Sequence, residues 1–332
     1  MTDKIIMGLE NPKAVYILLL ILTLVSSVLV CKEVIIPHVD ARIQFENDVL
    51  NNQMEPPYQY RVLKPLIARA LQILLSGIID SVKTRHVLSY SMIVFFCFLG
   101  IYYFFYMYLR YLFSNKTSII GLLLLQTVIP LSITGYYMIG DFITLLFYLV
   151  GFSLFFSNKD RYFPILIGLA TLNREQIVFL LLFYVFYLFY RGQLFDKRKI
   201  LIIIACVTAF LVAFIGVRIY FGLKISQYTI ALHVARNTEL KRLFLQIIPL
   251  WFAEIAGFVL ISILAFKKSN LFFKLSFISL GLYVLLFFLK GNLWELAKFL
   301  PAFLIMIPMS LQVLTGELAN ESNIKPLGKT IH

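Results

Sequence analysis

The residues able to do chemistry are few, and each stands beside an apolar run. Asp40, in PHVDARIQFEND, is the first aspartate past the exit of the first apolar segment, with Glu46 and Asp48 about two helical turns further on. A carboxylate there has two uses: general base for a hydroxyl nucleophile, or cap of a short helix. In PPYQYRVLKP, residues 56–65, two prolines set an extended approach and then Tyr58, Tyr60, Arg61 and Lys64 arrive together. Arg61 presents paired N–H donors that match a phosphate, yet tyrosine mixed with basic residues is also the ordinary belt of a membrane interface. Asp141, in YYMIGDF, reads as a helix cap or as an acid turned toward a site. Arg174, in LNREQ, separates two apolar pieces and needs water, a carboxylate or a ligand; its neighbour Glu175 is a poor helical partner, because positions i and i+1 do not face each other. Glu295 and Lys298 are spaced for a surface ion pair, and His233 and Arg236 fall on a connection that reads as a solvated helix face.

Nucleophile, metal and nucleotide motifs are missing from the chain: no HExxH, GxSxG, GxxxxGK[ST] or GxGxxG, and the four histidines are scattered. Cys31, Cys97 and Cys206 lie in or beside apolar runs without CxxC spacing and read as small core residues. No cofactor is fixed by a motif, and the reading leaves room for a divalent cation.

The elements that must position these residues follow from composition. With 332 residues, 61% hydrophobic and only 14% charged, the chain is excluded from the water-soluble globular class, where about 25% charged residues is usual. The apolar residues fall into runs near 14–31, 87–112, 118–136, 142–157, 200–221, 243–266, 271–289 and 296–315, each close to the roughly 20 residues that span a bilayer. Between Tyr162 and Tyr190 two shorter pieces are broken by Asn173, Arg174 and Glu175, which predicts a helical hairpin or broken pair. Pro65–Asp80 carries Arg69, Gln72, Ser76 and Asp80 as one helical stripe and reaches only about 24 Å, so it is expected to lie on the membrane surface. The net charge of +13 resides in short connections and sets orientation; it does not point to nucleic acid. The N-terminal apolar run is read as a retained signal anchor, and the tail after Gly316 as loose.

Basic residues decide the topology. With 65–80 flat and the N-terminus cytoplasmic, Lys4, Lys13, Arg110, Lys116, Lys159, Arg161, Arg191, Lys197, Arg198, Lys199, Lys267, Lys268, Lys325 and Lys329 share the inner side; a crossing 65–80 would send all but the first two outward. The flat arrangement brings the 32–64 loop, Asp141, Arg174 with Glu175, the 233–242 loop, and Glu295 with Lys298 to one outer face. Charges at the edges of spans cost about 2.5–3.5 kcal/mol each and tend to mark a site. The expected site is therefore Asp40 as base, with Tyr58, Tyr60, Arg61, Asp141, Arg174, Glu175, Arg236, Glu295 and Lys298 binding substrate.

This layout resembles the GT-C fold of polytopic glycosyltransferases that use polyprenyl-phosphate sugars. YQYRVLKPLIARAL, the span opening at Gly140 and Asp141, LATLNREQIVFLL and NLWELAKFLPAFLIMIP are similar to stretches of its small bacterial members. The resemblance covers most of the chain as an arrangement. It departs in two ways: Asp40 has no adjacent acid, and no soluble outer domain follows the last span. What it implies is an all-α, GT-C-like transmembrane bundle in one domain, residues 1–332, with about 9–11 membrane helices including a broken pair and a surface helix. It also implies an inverting transfer, in the cell membrane, from a polyprenyl-phosphate sugar to an extracytoplasmic glycan, lipid or protein, with Asp40 as base and Arg61, Arg174 or Lys298 neutralising the departing phosphate. Both termini would be cytoplasmic. The rival expectation is a transporter or flippase of lipid-linked sugars, and a third is a polysaccharide polymerase; a transporter would favour charges at mid-membrane in symmetry-related broken spans, and no internal repeat is visible.

Overall fold

The computed structural model describes residues 12–319. Lys4, Lys325 and Lys329, and with them most of the expected cytoplasmic tail, lie outside the described residues. In chain order the elements are α1 (Pro12–Ile35), α2 (Val39–Leu50), α3 (Leu63–Leu75), α4 (Val82–Leu112), α5 (Asn115–Leu131), α6 (Ile139–Phe156), α7 (Phe163–Thr171), α8 (Glu175–Tyr190), α9 (Lys197–Phe221), α10 (Ile230–Thr238), α11 (Leu240–Ala265), α12 (Leu271–Lys290) and α13 (Leu296–Leu314). Seven of them, α1, α4, α6, α9, α11, α12 and α13, are long and apolar enough to cross a membrane, and α5 and α8 are shorter apolar helices. The described chain is an all-helical, polytopic membrane bundle.

Local chemistry sets the boundaries. Ser81, Ser114, Asp196, Thr229 and Asn270 cap α4, α5, α9, α10 and α12, each side-chain oxygen accepting a backbone N–H of the first turn. Capping by Ser81 starts α4 several residues before the predicted 87, giving a helix of 31 residues and about 46 Å, longer than the hydrocarbon is thick. Its extra turns reach out to pack against α2 and α3.

Helix α3 is 13 residues long and does not continue to Asp80. Leu66, Ile67, Ile73 and Leu74 form an exposed apolar stripe, continued by Ile78 beyond the helix, while Lys64, Pro65, Ala68 and Gln72 face the protein. A length of about 20 Å with one apolar face open fits a helix lying in the interface. The expected polar stripe is split, because Gln72 turns inward to donate to Glu46 at 3.0 Å.

At the centre is α13, buried almost throughout, packed on α11 and α5 and flanked by α6. Pro308 has no N–H for the Leu304 carbonyl one turn earlier, and Tyr108 O–H donates to that carbonyl at 2.9 Å. The opposite extreme is α9, which buries only Cys206 and packs on α7 and α8 at the rim of the bundle. At the end of the bundle remote from α2 and α3, Glu317 accepts from Ser114 and Thr117, so the first residues after Gly316 are tied down and not loose.

Candidate functional site

The break between α7 and α8 builds the floor of the site. Backbone that leaves the helix must find partners, and the Leu172 carbonyl at the break accepts from the Leu63 N–H at 3.1 Å, while the polar triplet ties the break to α6. Asn173 Nδ2 donates to the Gly140 carbonyl at 2.8 Å and to Thr144 Oγ1 at 2.9 Å. Arg174, in extended conformation, donates Nη2 to Asp141 Oδ2 at 2.7 Å, with both side chains buried. Gly140 permits this approach, since a Cβ there would stand 3.3 Å from Arg174 Nε. Asp141 is therefore a buried ion-pair partner and not a cap: the residue ahead of α6 is Met138, and no side chain caps that helix.

Above this floor lies a cavity of about 640 Å³ whose lining divides into three kinds. The cations are Arg61, Arg174, Arg218, Lys224, Lys290 and Lys298, against Glu175 and Glu295. The aromatic and amide group comprises Tyr58, Tyr60, Tyr228, His233, Gln176 and Asn292. The apolar wall is Val178 of α8, Phe210 and Phe214 of α9, and Leu286 and Phe287 of α12. Val178 and Leu286 are exposed, at 42% and 38%. Helices α9 and α12 both pack on α8, so the wall follows the gap between two lipid-facing spans.

Glu175 holds two guanidinium groups in place, with Arg61 at 3.5 Å and Arg218 at 3.2 Å. Arg61 lies over the ring of Tyr58, and Arg218 over those of Tyr60 and Phe214. Arg61 Nε and Arg174 Nε are buried without an acceptor among the described residues. Glu295 accepts from Asn292 Nδ2 at 2.5 Å and pairs with Lys298. Burial alone would raise the Glu295 carboxyl, but Lys298, by charge and hydrogen bond, together with Asn292, outweighs it and holds the group below the usual range. Burial, reinforced by Glu295, pushes the Tyr58 phenol up to about 12.

Tyr58, Tyr60, Arg61, Arg174, Glu175, Glu295 and Lys298 thus meet around one space, with Asp141 directly behind Arg174. Glu295 and Lys298 form a buried pair and not a surface one. Arg236 is half-buried on α10 and does not line the cavity. Asp40 requires the plainest correction. Arg42, Glu46 and Val49 form the buried face of α2, so Asp40 falls on the other face, exposed and paired with Lys83 at 2.8 Å. It does not line this cavity.

Sequence reasoning missed Arg218, Lys224, Lys290, Tyr228 and Asn292, and placed His233 on a solvated face although it is buried. Arg218 did carry a signal: it is an arginine within an apolar run of α9 that has no acid of its own. Lys224 shows how the rim is fastened, its Nζ donating to the carbonyls of Asn52 and Met54 at 2.7 and 3.2 Å. Among the described residues no group of three or more His, Cys, Asp or Glu side chains is placed to hold a metal ion. No family model matches the chain, and neither a curated protein nor a solved structure matches it.

Proposed function

We propose that this protein is an integral-membrane glycosyltransferase of GT-C-like build. It moves a sugar from a polyprenyl-phosphate carrier to an extracytoplasmic glycan, lipid or protein acceptor. One observation carries the reading: a single cavity joins a cationic cluster, an aromatic and amide surface and an apolar wall contributed by helices long and apolar enough to span a membrane. Those match the three parts of a lipid-linked sugar. An isoprenoid chain lies along Val178, Phe210, Phe214 and Leu286; its phosphate meets Arg61, Arg174, Arg218 and Lys298; the sugar stacks on Tyr58 or Tyr228, with hydroxyls toward Gln176 and Asn292. As the bond to the anomeric carbon breaks, charge gathers on the phosphate, where fixed guanidinium groups in a partly dry site stabilise it most. Asp40 is not among the residues around this space.

The test is sugar transfer by purified protein from a panel of polyprenyl-phosphate sugars. Transfer that weakens in Arg61→Ala and Arg218→Ala supports the reading; no transfer from any donor overturns it. Orientation is checked by labelling Asp40→Cys and Lys197→Cys in intact cells, the first reacting from outside and the second only after permeabilisation. A transporter or flippase has its own support in Glu254, buried in α11 where two π-helical stretches interrupt the span, with neither carboxylate oxygen partnered among the described residues. Passage of a lipid-linked sugar across proteoliposomes without transfer would favour it.

A further inference from the structure

Asp40 does not line the cavity, and the cavity's two carboxylates are both engaged by cations, Glu175 by Arg61 and Arg218 and Glu295 by Lys298, so the acceptor's proton has to go to another group on the wall. Glu295, paired with Lys298, can only accept, so the Asn292 group facing it at 2.5 Å is the amide nitrogen. That fixes the amide and leaves Asn292 Oδ1, an acceptor, 3.2 Å from His233 Nδ1. His233 therefore carries its proton on Nδ1, and Nε2 is left with a lone pair that no described protein group takes up. The ring lines the cavity that holds the cationic cluster and lies 18° from parallel to Tyr228, which restricts its plane. Asn237 anchors the helix beneath it, Nδ2 donating to the carbonyls of Phe288 and Gly291 at 2.9 and 3.0 Å.

We propose that His233 Nε2 is the general base of the reaction, with Asn292 and Glu295 as positioning residues that set its tautomer. This rests on the glycosyl-transfer reading. The acceptor O–H gives its proton to Nε2 as its oxygen bonds to the anomeric carbon. The bond from that carbon to the phosphate oxygen breaks, and its electron pair leaves on the lipid phosphate, beside Arg61 and Arg218. The imidazolium then returns its proton to water. Burial holds His233 below the ordinary histidine range, so the ring is neutral and able to accept at neutral pH. The charged groups on the elements around it are Arg236 and Glu239 at α10, Lys241 and Arg242 of α11, Lys290 of α12, and Glu295 with Lys298.

His233→Gln is expected to lower kcat for transfer by about 10²–10⁴-fold, with the donor KM little changed. Wild-type turnover should rise with pH through the imidazole titration and then level, and the variant should lose that acid limb. Asn292→Ala keeps the imidazole and frees its tautomer, so its kcat should fall less and its acid limb should shift but persist. Nitrogen NMR of histidine-labelled protein, with His233 assigned by its loss in His233→Gln, reads the tautomer without any activity. An unprotonated Nε2 in wild type that becomes a mixture in Asn292→Ala supports the proposal, and a protonated Nε2 in wild type overturns it. Transfer by a folded His233→Gln at the wild-type rate and pH profile overturns the base assignment alone, whereas absence of transfer by the wild type overturns the glycosyl-transfer reading and the base role with it.

Discussion

Helix α6 has an acid near each end and α9 has a base near each end, and the two ends use them differently. At the end remote from the cavity, Asp160 just past α6 accepts from Lys199 Nζ at 2.6 Å and from Tyr184 O–H at 2.5 Å. None of these three side chains has a buried polar atom left without a partner. At the cavity end, Asp141 and Arg174 pair at 2.7 Å but leave Asp141 Oδ1 and Arg174 Nε buried and unmatched, and Arg218 reaches Glu175 from the lipid-facing helix. A polar cluster that only fastens helices can close on itself. One whose arginines line a cavity, as Arg174 and Arg218 do, has cations placed where a charged ligand could meet them.

The largest effects should come from breaking either ion pair on one side only. Arg174→Met or Lys199→Met strands a buried carboxylate and should cost about 3–5 kcal/mol of stability. Matched neutral pairs then separate the two ends. Asp160→Asn with Lys199→Met should regain most of the thermal stability in detergent and keep sugar transfer. Asp141→Asn with Arg174→Gln should regain stability without transfer. Full activity in the second pair would mean that the cavity end is structural as well.

Next in size is Arg218→Ala. A charge-assisted hydrogen bond is worth about 1.5–3 kcal/mol, so losing one to a lipid phosphate should raise the donor KM by roughly 10–150-fold. Turnover against donor concentration measures it. An unchanged KM would place the phosphate away from α9.

An effect of pH concerns Lys64, buried near Arg42, Arg174, Asp141 and Glu46. Burial, with Arg42 and Arg174 adding to it, pushes its ammonium down to about 7 from the usual 10.5. Between those values the unfolded chain holds the extra proton, so this residue makes stability rise as the pH is raised from about 7 to 10.5. Thermal unfolding followed across that window should show the rise in the wild type and a flatter curve in Lys64→Met; equal slopes would place Lys64 in a wetter environment.

Much of the fold was legible because crossing a membrane demands long apolar runs, and the breaks between them are polar for a physical reason. The same cost made Asp141, Arg174, Glu295 and Lys298 conspicuous, since ionisable groups at span edges need a purpose. What could not be read was rotational phase. Helix α2 points Arg42 and Glu46 inward, toward Tyr90, Gln72 and His86, so its protein-facing side is the charged one and gives no apolar stripe to orient it. His233 was missed because its burial depends on α10 docking onto α12, a tertiary contact with no local signature. Arg236 and His233 are three residues apart and looked alike in sequence, yet only His233 lines the cavity.

The smallest expected effect tests that question of phase. Asp40 and Lys83 form an exposed pair, the kind worth about 0–1 kcal/mol, and Asp40 is separated from the cavity by the body of α2. Asp40→Asn should keep transfer within about twofold of wild type, because a general base is typically worth 10²–10⁴-fold and a surface ion pair is not. The result bears on more than one residue. If Asp40→Asn fell by a hundredfold while remaining folded, α2 would have to present its other face to the substrate, and Arg42 and Glu46 would then belong to the exterior. Unaltered transfer keeps that charged face inside and leaves proton removal to the wall that carries His233.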